Sequence, residues 1–421
     1  MTARRIAVVR LCFLIALVFL VYAVPAAQPA SSQLSAATFE NASPPEILPV
    51  DDAAIGESQA LLLDIAIDVA TRIPVEPHIK DRSRAQEQIV LGCIEMDLPN
   101  RALDYSQHIA NWRQGYCYAE LALYLAQHDR DNAAKELIRL AELWADESSD
   151  WRRDRILVKI AQALTWMGNK QSATTYASDV EQSEIGKLDK VEALLGGDGD
   201  FDSLMEQLET LARQQHFDVL RNTLKAFVAL HERYYHEVSR REQVEKAMEA
   251  SWGPMPVLIR IELLMDLAEN ALGYKDQNHA LALINEAQDM LESHQWPLEH
   301  EIRMRARLHE LRYLAGDRQQ ALDDAHETYS LFKANGQRIV NIWRAEALRP
   351  LAEAYQIMGQ IEAAETVYWR ALQEGVENPN SRPRAEDLSA TTLSMAQHGF
   401  KPNGEFWQRI NDIQQRLGEP W

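Results

Sequence analysis

The chain has 421 residues, of which 46% are hydrophobic and 25% are charged. This balance is ordinary for folded protein, but the length is large for one globular core, so several domains or an elongated repeat array are expected. Gly (17) and Pro (16) are scarce, which favours long helices over a turn-rich sandwich or barrel. The net charge of −20 disfavours nucleic acids as partners, because an acidic surface repels phosphates.

The first 27 residues have the pattern of an export signal. Three arginines precede an unbroken apolar run over residues 11–24, and a Pro-Ala-Ala stretch follows it. The run is shorter than the roughly 20 residues that cross a bilayer. We therefore predict an exported protein, periplasmic or secreted, in which residues 1–27 are a cleaved signal peptide or an N-terminal membrane anchor. Contact with a membrane is expected only through this segment.

Residues 28–53 are rich in Ala, Ser and Pro, which predicts a flexible linker. From 54 to 421, apolar residues recur every three or four positions, and no run alternates as a strand would. The expected fold class is therefore all-α. Within it, 54–78 is predicted to form a cap helix over the first repeat, and 384–421 to form a last helix pair that faces water.

One spaced set of apolar and small residues recurs along the predicted helices. Its most complete copy consists of Leu348, Leu351, Ala352, Tyr355, Ala364, Tyr368 and Ala371. Further copies begin at Tyr118, Leu157 and Leu264. The small residues suit a place where the two helices of a pair cross closely, because a larger side chain would push the axes apart. The pattern resembles the tetratricopeptide repeat family.

The resemblance implies a helical-hairpin α-solenoid, a right-handed superhelical array of about seven to eight helix pairs. In this family the first helices line a concave face that holds a protein or peptide partner. Carried over to this chain, that face consists of Arg155, Lys159, Gln162, Trp166, Glu262, Asp266, Glu269, Arg303, Arg307, Glu310, Arg349 and Glu353. Any solvated helix face would show a similar mixture of charges, so that alternative stays open.

A second hypothesis comes from four acids in a calcium-type loop. Asp198, Asp200, Asp202 and Glu209 fall at positions 1, 3, 5 and 12 of a helix-loop-helix calcium loop. The hinge glycine at position 6 is replaced by Ser203. A capping role for Asp202 at the start of a helix explains the same residues. The alternative function is therefore a ligand- or metal-sensing regulatory module, against the leading expectation of a scaffold that supports complex assembly or secretion on the extracytoplasmic side.

The sequence contains few patterns that are typical of a reactive site. His231 and His236 are five residues apart, whereas the H-E-x-x-H zinc motif needs four, so both are expected to be solvated. Cys93 and Cys117 could form a bridge after export or act as separate core residues. The sequence has no nucleophile elbow, phosphate loop or dinucleotide fingerprint. We therefore expect neither catalysis nor a cofactor, and the oligomeric state is left open.

Overall fold

A computed structural model describes residue 45 and residues 48–180, 201–214 and 216–421. All secondary structure in these residues is helical, which confirms the predicted all-α class. None of the described helices combines the length and the apolar character needed to cross a membrane. The proposed signal at 1–27, most of the proposed linker, and Asp198 and Asp200 lie outside the described residues.

The described part contains eighteen α-helices, numbered here in chain order. They are α1 (Glu57–Arg72), α2 (Val75–Glu95), α3 (Pro99–Ser106), α4 (Arg113–Gln127), α5 (Asp131–Asp146), α6 (Asp150–Trp166), α7 (Lys170–Asp179), α8 (Phe201–Ala212), α9 (Phe217–Arg233), α10 (Val238–Ser251), α11 (Val257–Gly273), α12 (Gln277–Glu292), α13 (Leu298–Leu314), α14 (Arg318–Asn335), α15 (Asn341–Ile357), α16 (Ile361–Gly375), α17 (Ser381–Gln397) and α18 (Gly404–Gln415). A 3₁₀ turn at Gly336–Arg338 precedes α15.

Most helices pack as hairpins with the next helix in the chain, as α4 does with α5, α11 with α12 and α15 with α16. Tight turns make this possible. Gly168 after α6 and Gly359 after α15 adopt positive φ angles of 74° and 72°, which a residue without a Cβ reaches at no steric cost. The alanines where α15 crosses α16, Ala352 and Ala364, are fully buried. Close crossing of the two helices therefore depends on small side chains.

The two ends of the described chain pack against each other. The main packing partner of α1 is α17 rather than α2, so two helices from opposite ends of the sequence form a packed pair. Gln59 Nε2 donates to the Ala396 carbonyl at 2.9 Å, and Gln397 Nε2 donates to Glu95 of α2 at 2.6 Å. Residues 54–78 and 384–421 were expected to cap opposite ends of the array, and the sequence did not indicate this contact, because local periodicity carries no information on contacts between residues so far apart.

The contact between the two ends of the described chain determines the spatial order of the hairpins. The first helices contact one another in the order α9, α11, α13, α15, α17, α2, α4 and α6. The hydrophobic core of the described residues forms two clusters. One cluster unites α1–α7 with the last helices of the chain, and the other lies among α8–α13.

Residues 48–53, the end of the expected linker, are part of the folded structure. Leu48 is buried, and its N–H donates to Asn100 Oδ1 at 2.7 Å. Asn100 Nδ2 in turn donates to the Val50 carbonyl at 2.7 Å, and the Asn100 N–H donates to Asp52 at 2.7 Å. The folded part therefore begins at least as early as residue 48, not at 54, because Asn100 at the start of α3 supplies partners for this extended segment.

Both cysteines of the folded part are core residues. Cys93 on α2 and Cys117 on α4 are fully buried and unbridged. Burial raises the pKa of the Cys117 thiol well above its usual range, and burial likewise raises the pKa of Cys93. Both thiols therefore stay protonated near neutral pH and are weak nucleophiles.

Candidate functional site

The first helices of successive hairpins share one surface, which we call the first-helix face. The twelve side chains expected to bind a partner belong to four of these helices, namely α6, α11, α13 and α15. On each helix they are spaced by three or four residues, which places them along one side. Contrary to the expectation, most of them form ion pairs or hydrogen bonds within the fold.

On α13 and α15 the arginines of this face form ion pairs with neighbouring first helices. Arg303 Nη1 lies 2.7 Å from Glu346 Oε1 on α15, and Arg349 Nη1 lies 3.0 Å from Asp387 Oδ1 on α17. Arg307 contacts both Glu269 on α11 and Glu310 on its own helix, the latter at 2.6 Å; Glu310 itself is buried. Glu353 accepts a hydrogen bond from Ser394 at 2.6 Å. These groups connect adjacent hairpins instead of projecting toward a partner.

The charged α6 side chains of this face are also paired with carboxylates of other first helices. Arg155 Nη2 lies 3.2 Å from Glu87 Oε1 on α2, and Lys159 Nζ lies 3.2 Å from Glu120 Oε1 on α4. Gln162 is buried. Only Trp166, at the end of the helix, is largely open to solvent, with 43% of its surface exposed.

An apolar residue on α13 occupies the position that corresponds to Trp166 on α6. The α6 residues 155, 159, 162 and 166 are spaced by four, three and four, and the α13 residues 303, 307, 310 and 314 repeat that spacing. The fourth residue is Trp166 in one case and Leu314 in the other, and Leu314 is 44% exposed. Leu314 was not singled out from the sequence, although its spacing from Arg303 could have indicated it. Two hairpins thus present an exposed apolar side chain beside a row of paired charges.

The α11 section of the face carries three carboxylates, Glu262, Asp266 and Glu269. Burial, and then the neighbouring charge of Glu269, raise the pKa of Asp266 to about 8, against the attraction of Lys225. Burial also raises the pKa of Glu262, opposed first by Lys225. Asp266 therefore holds a proton near neutral pH, which limits the repulsion within the row.

A second arrangement, which sequence reasoning missed, brings two histidines to one carboxylate. His231 Nε2 at the end of α9 lies 3.0 Å from Glu245 Oε1 on α10. His279 Nε2 on α12 lies 3.1 Å from the same oxygen. The three ligand-type atoms lie within 4.8 Å of one another. We call these three residues the His-Glu-His cluster.

His231 is fully buried, so the expectation that it is solvated was wrong, whereas His236 is exposed. Burial lowers the pKa of His231, despite the hydrogen bond with Glu245. Burial of Glu245 opposes its ionisation, but hydrogen bonds with His231 and His279 lower its pKa to about 2. Sequence spacing could not reveal the cluster, because the two histidines are 48 positions apart and meet only when consecutive hairpins stack.

The described half of the proposed calcium loop is helical. Asp202 lies in the first turn of α8, and Glu209, further along the same helix, lies 3.8 Å from Arg213. An acidic residue in the first turn of a helix is favoured by the helix dipole, which accounts for Asp202 without a metal ion. Asp198 and Asp200 are not among the described residues.

No family model and no curated protein matches the chain. What the molecule can do must therefore follow from its own geometry. Two features stand out: the exposed apolar residues on the first-helix face, and the convergence of imidazole and carboxylate groups at the His-Glu-His cluster.

Proposed function

We propose that this chain is a protein-binding scaffold, a tetratricopeptide-type α-solenoid that holds a partner protein or peptide against its first-helix face. We further propose that it acts on the extracytoplasmic side, where it supports complex assembly or secretion, and that it performs no catalytic step. The export-type segment at 1–27 supports the location. The observation that carries the binding proposal is the pair Trp166 and Leu314, exposed at equivalent positions of two hairpins.

The contacts of the charged residues explain why apolar side chains carry this proposal. Arg303, Arg307 and Arg349 already have carboxylate partners within the fold. A ligand that recruited them would have to break these pairs, so they offer little net binding energy. Large exposed apolar side chains supply binding energy when a partner covers them, and tryptophan is enriched among the residues that dominate interfaces.

The fold also limits how the proposal can be tested by mutation. Charge reversal at Arg303 or Arg349 would break a pair between hairpins and disturb the structure, so a loss of binding would be ambiguous. Substitution at Trp166 or Leu314 changes side chains that are more than two-fifths exposed. Ile361, the first residue of the second helix α16, is 50% exposed and provides a matched control away from the first helices.

The experiment places a photo-crosslinking phenylalanine analogue at Trp166, Leu314 or Ile361 and irradiates intact cells. We expect the same partner to be crosslinked from Trp166 and from Leu314, but not from Ile361. Trp166→Ala and Leu314→Ala should then weaken binding of the isolated partner by at least about tenfold in combination, as expected for loss of two anchor residues. Equal crosslinking from all three positions, or none from the first two, would reject the first-helix face as the binding surface.

A sensing module that binds a small ligand or a metal is the second candidate. The observation that favours it is the His-Glu-His cluster, since the described half of the Asp198–Glu209 loop forms a helix. The two functions are compatible, because the cluster lies among α9, α10 and α12, whereas Trp166 and Leu314 belong to α6 and α13.

A further inference from the structure

Three side chains from two successive hairpins converge on one point. His231 and Glu245 belong to the hairpin α9–α10, and His279 belongs to α11–α12. Both imidazole Nε2 atoms approach the same carboxylate oxygen, at 3.0 and 3.1 Å. From this geometry we propose that His231, Glu245 and His279 bind one divalent transition-metal ion, with zinc as the best-matched metal.

The donor set has the chemistry that zinc prefers. Zinc takes imidazole nitrogen at about 2.0–2.1 Å and carboxylate oxygen at about 2.0–2.2 Å, in a tetrahedron. Those bond lengths place neighbouring ligand atoms about 3.4 Å apart. The separations of 3.0 and 3.1 Å in the cluster are a few tenths shorter. A small outward shift of Glu245 would bring these two separations to the zinc value, and the two imidazole nitrogens, which lie within 4.8 Å of each other, would have to reach the same spacing.

A path to solvent exists on one side of the cluster. His231 is fully buried, but the Glu245 and His279 side chains are 26% and 22% exposed. The fourth position of the tetrahedron can therefore be taken by water, as at sites where zinc has three protein ligands. The buried histidine fixes one ligand firmly, and the exposed side lets the ion enter.

Metal binding through both Nε2 atoms requires each imidazole to carry its proton on Nδ1. Each neutral imidazole must move its proton from Nε2, which bonds to the metal, to Nδ1. His231 Nδ1 lies 3.2 Å from the Asn270 amide group, whose Nδ2 also donates to the Val228 carbonyl at 3.0 Å. A half-turn of this amide would present its oxygen to the new N–H, as a partner of a metal-bound histidine does, and would end the hydrogen bond from Nδ2 to the Val228 carbonyl. His279 is partly exposed, so water can accept its Nδ1 proton.

One cationic side chain, Arg241, lies beside the cluster. Arg241 Nε lies 3.7 Å from Glu245 Oε1, which would oppose a second cation nearby. The same arginine, through Nη1, lies 3.5 Å from Asp276, and its guanidinium packs over the Tyr235 ring. Arg241 therefore contacts two carboxylates, Glu245 inside the cluster and Asp276 outside it. When the metal draws Glu245 away, Arg241 retains Asp276 as its partner.

Bound metal would join two neighbouring hairpins. Because ligands come from α9, α10 and α12, the ion would be held only when these helices are stacked as in the structure. Binding to the folded state alone stabilises it by mass action. The chain lacking metal should therefore melt at a lower temperature than the zinc-bound chain.

The test titrates zinc chloride into the chelator-treated full chain by calorimetry and follows cobalt(II) binding by its visible absorption. We expect one saturable zinc site, cobalt bands of four-coordinate type, and a rise in melting temperature with zinc. Glu245→Gln keeps the shape of the side chain and should weaken zinc binding by at least about tenfold, as should His279→Asn. His236→Asn is the control, because His236 is exposed and outside the cluster; its affinity should match the natural chain.

Absence of saturable zinc binding, or equal affinity in Glu245→Gln and His279→Asn, would overturn the proposal. Circular dichroism without metal shows whether each variant is folded. Because two different ligands are tested, the loss of fold in one variant leaves the other decisive. The zinc proposal does not depend on the scaffold function, so its test is decided independently of whether Trp166 crosslinks to a partner.

Discussion

Asp266 is a carboxyl group whose surroundings oppose its ionisation. It lies between Glu262 and Glu269 on α11, with Lys225 and Arg307 as the nearest compensating charges. Because burial and Glu269 raise its pKa to about 8, the folded state binds a proton that the unfolded chain releases near pH 4. Between those values, unfolding releases this proton, so the contribution of Asp266 to stability falls as pH rises.

Asp266→Asn should remove this pH dependence. The variant keeps the size of the side chain but carries no charge, so it should unfold at a higher temperature than the natural chain at pH 8 and gain little at pH 4. Because the site is partly exposed, we expect a gain on the order of 1 kcal/mol at pH 8. Asp289→Asn, on the exposed side of α12, is the control. A constant difference between Asp266→Asn and the natural chain across this pH range would contradict the assignment.

The arginines of the first-helix face show which contacts of a side chain can be predicted from the sequence. Helical spacing placed Arg155, Arg303 and Arg349 on one side of their helices. Spacing could not say that each of them would find a carboxylate on another first helix. Whether a long charged side chain reaches solvent or a neighbour depends on the distance between helices, which only the assembled array defines.

At the scale of the helix, the closest packing between α4 and α5 depends on Gly115. A Cβ atom at this position would lie far inside van der Waals contact with the Trp144 Cβ and 3.2 Å from Ile156 Cδ1. The Trp144 Cβ is fixed to the backbone of α5, so a side-chain rotation cannot relieve the clash. The hairpin can therefore accept no larger residue at Gly115 without moving one helix.

Gly115→Ala should destabilise the protein by about 1–3 kcal/mol, the usual cost of overpacking, even though alanine favours helix formation. Urea denaturation measures the change. Gly404→Ala is the matched control, since Gly404 begins α18 and a Cβ there meets nothing within 4 Å. That control should be neutral or slightly stabilising. Equal stability of Gly115→Ala and the natural chain would show that α4 and α5 are less tightly packed than the structure indicates.

At the scale of the molecule, the all-α class was predictable, while the order of the hairpins was not. The class follows from apolar spacing within each helix, and the crossing alanines, such as Ala352 and Ala364, lie only a dozen residues apart. The pairing of α1 with α17 instead joins segments separated by most of the chain, as the contact of Gln59 with Ala396 shows. No periodicity in either helix specifies that partner. The His-Glu-His cluster went unrecognised for the same reason, because it exists only where two hairpins meet.

The joined ends should behave as one cooperative unit. Leu63 on α1 is fully buried in the core cluster that includes α17, whereas Leu283 on α12 belongs to the other cluster. Removing buried methyl groups from leucine costs about 2–5 kcal/mol. Leu63→Ala should therefore increase hydrogen exchange in α17, more than 300 residues away, as well as in α1.

Leu283→Ala makes the same chemical change in the other cluster and should increase exchange among α9–α12 while leaving α17 protected. Mass spectrometry of peptides from each helix separates the two patterns. If Leu63→Ala loosened only α1 and α2, the terminal helices would be independent neighbours. Loss of protection in α17 instead requires that α1 stabilises it directly, because regions that open together do so through the contacts they share.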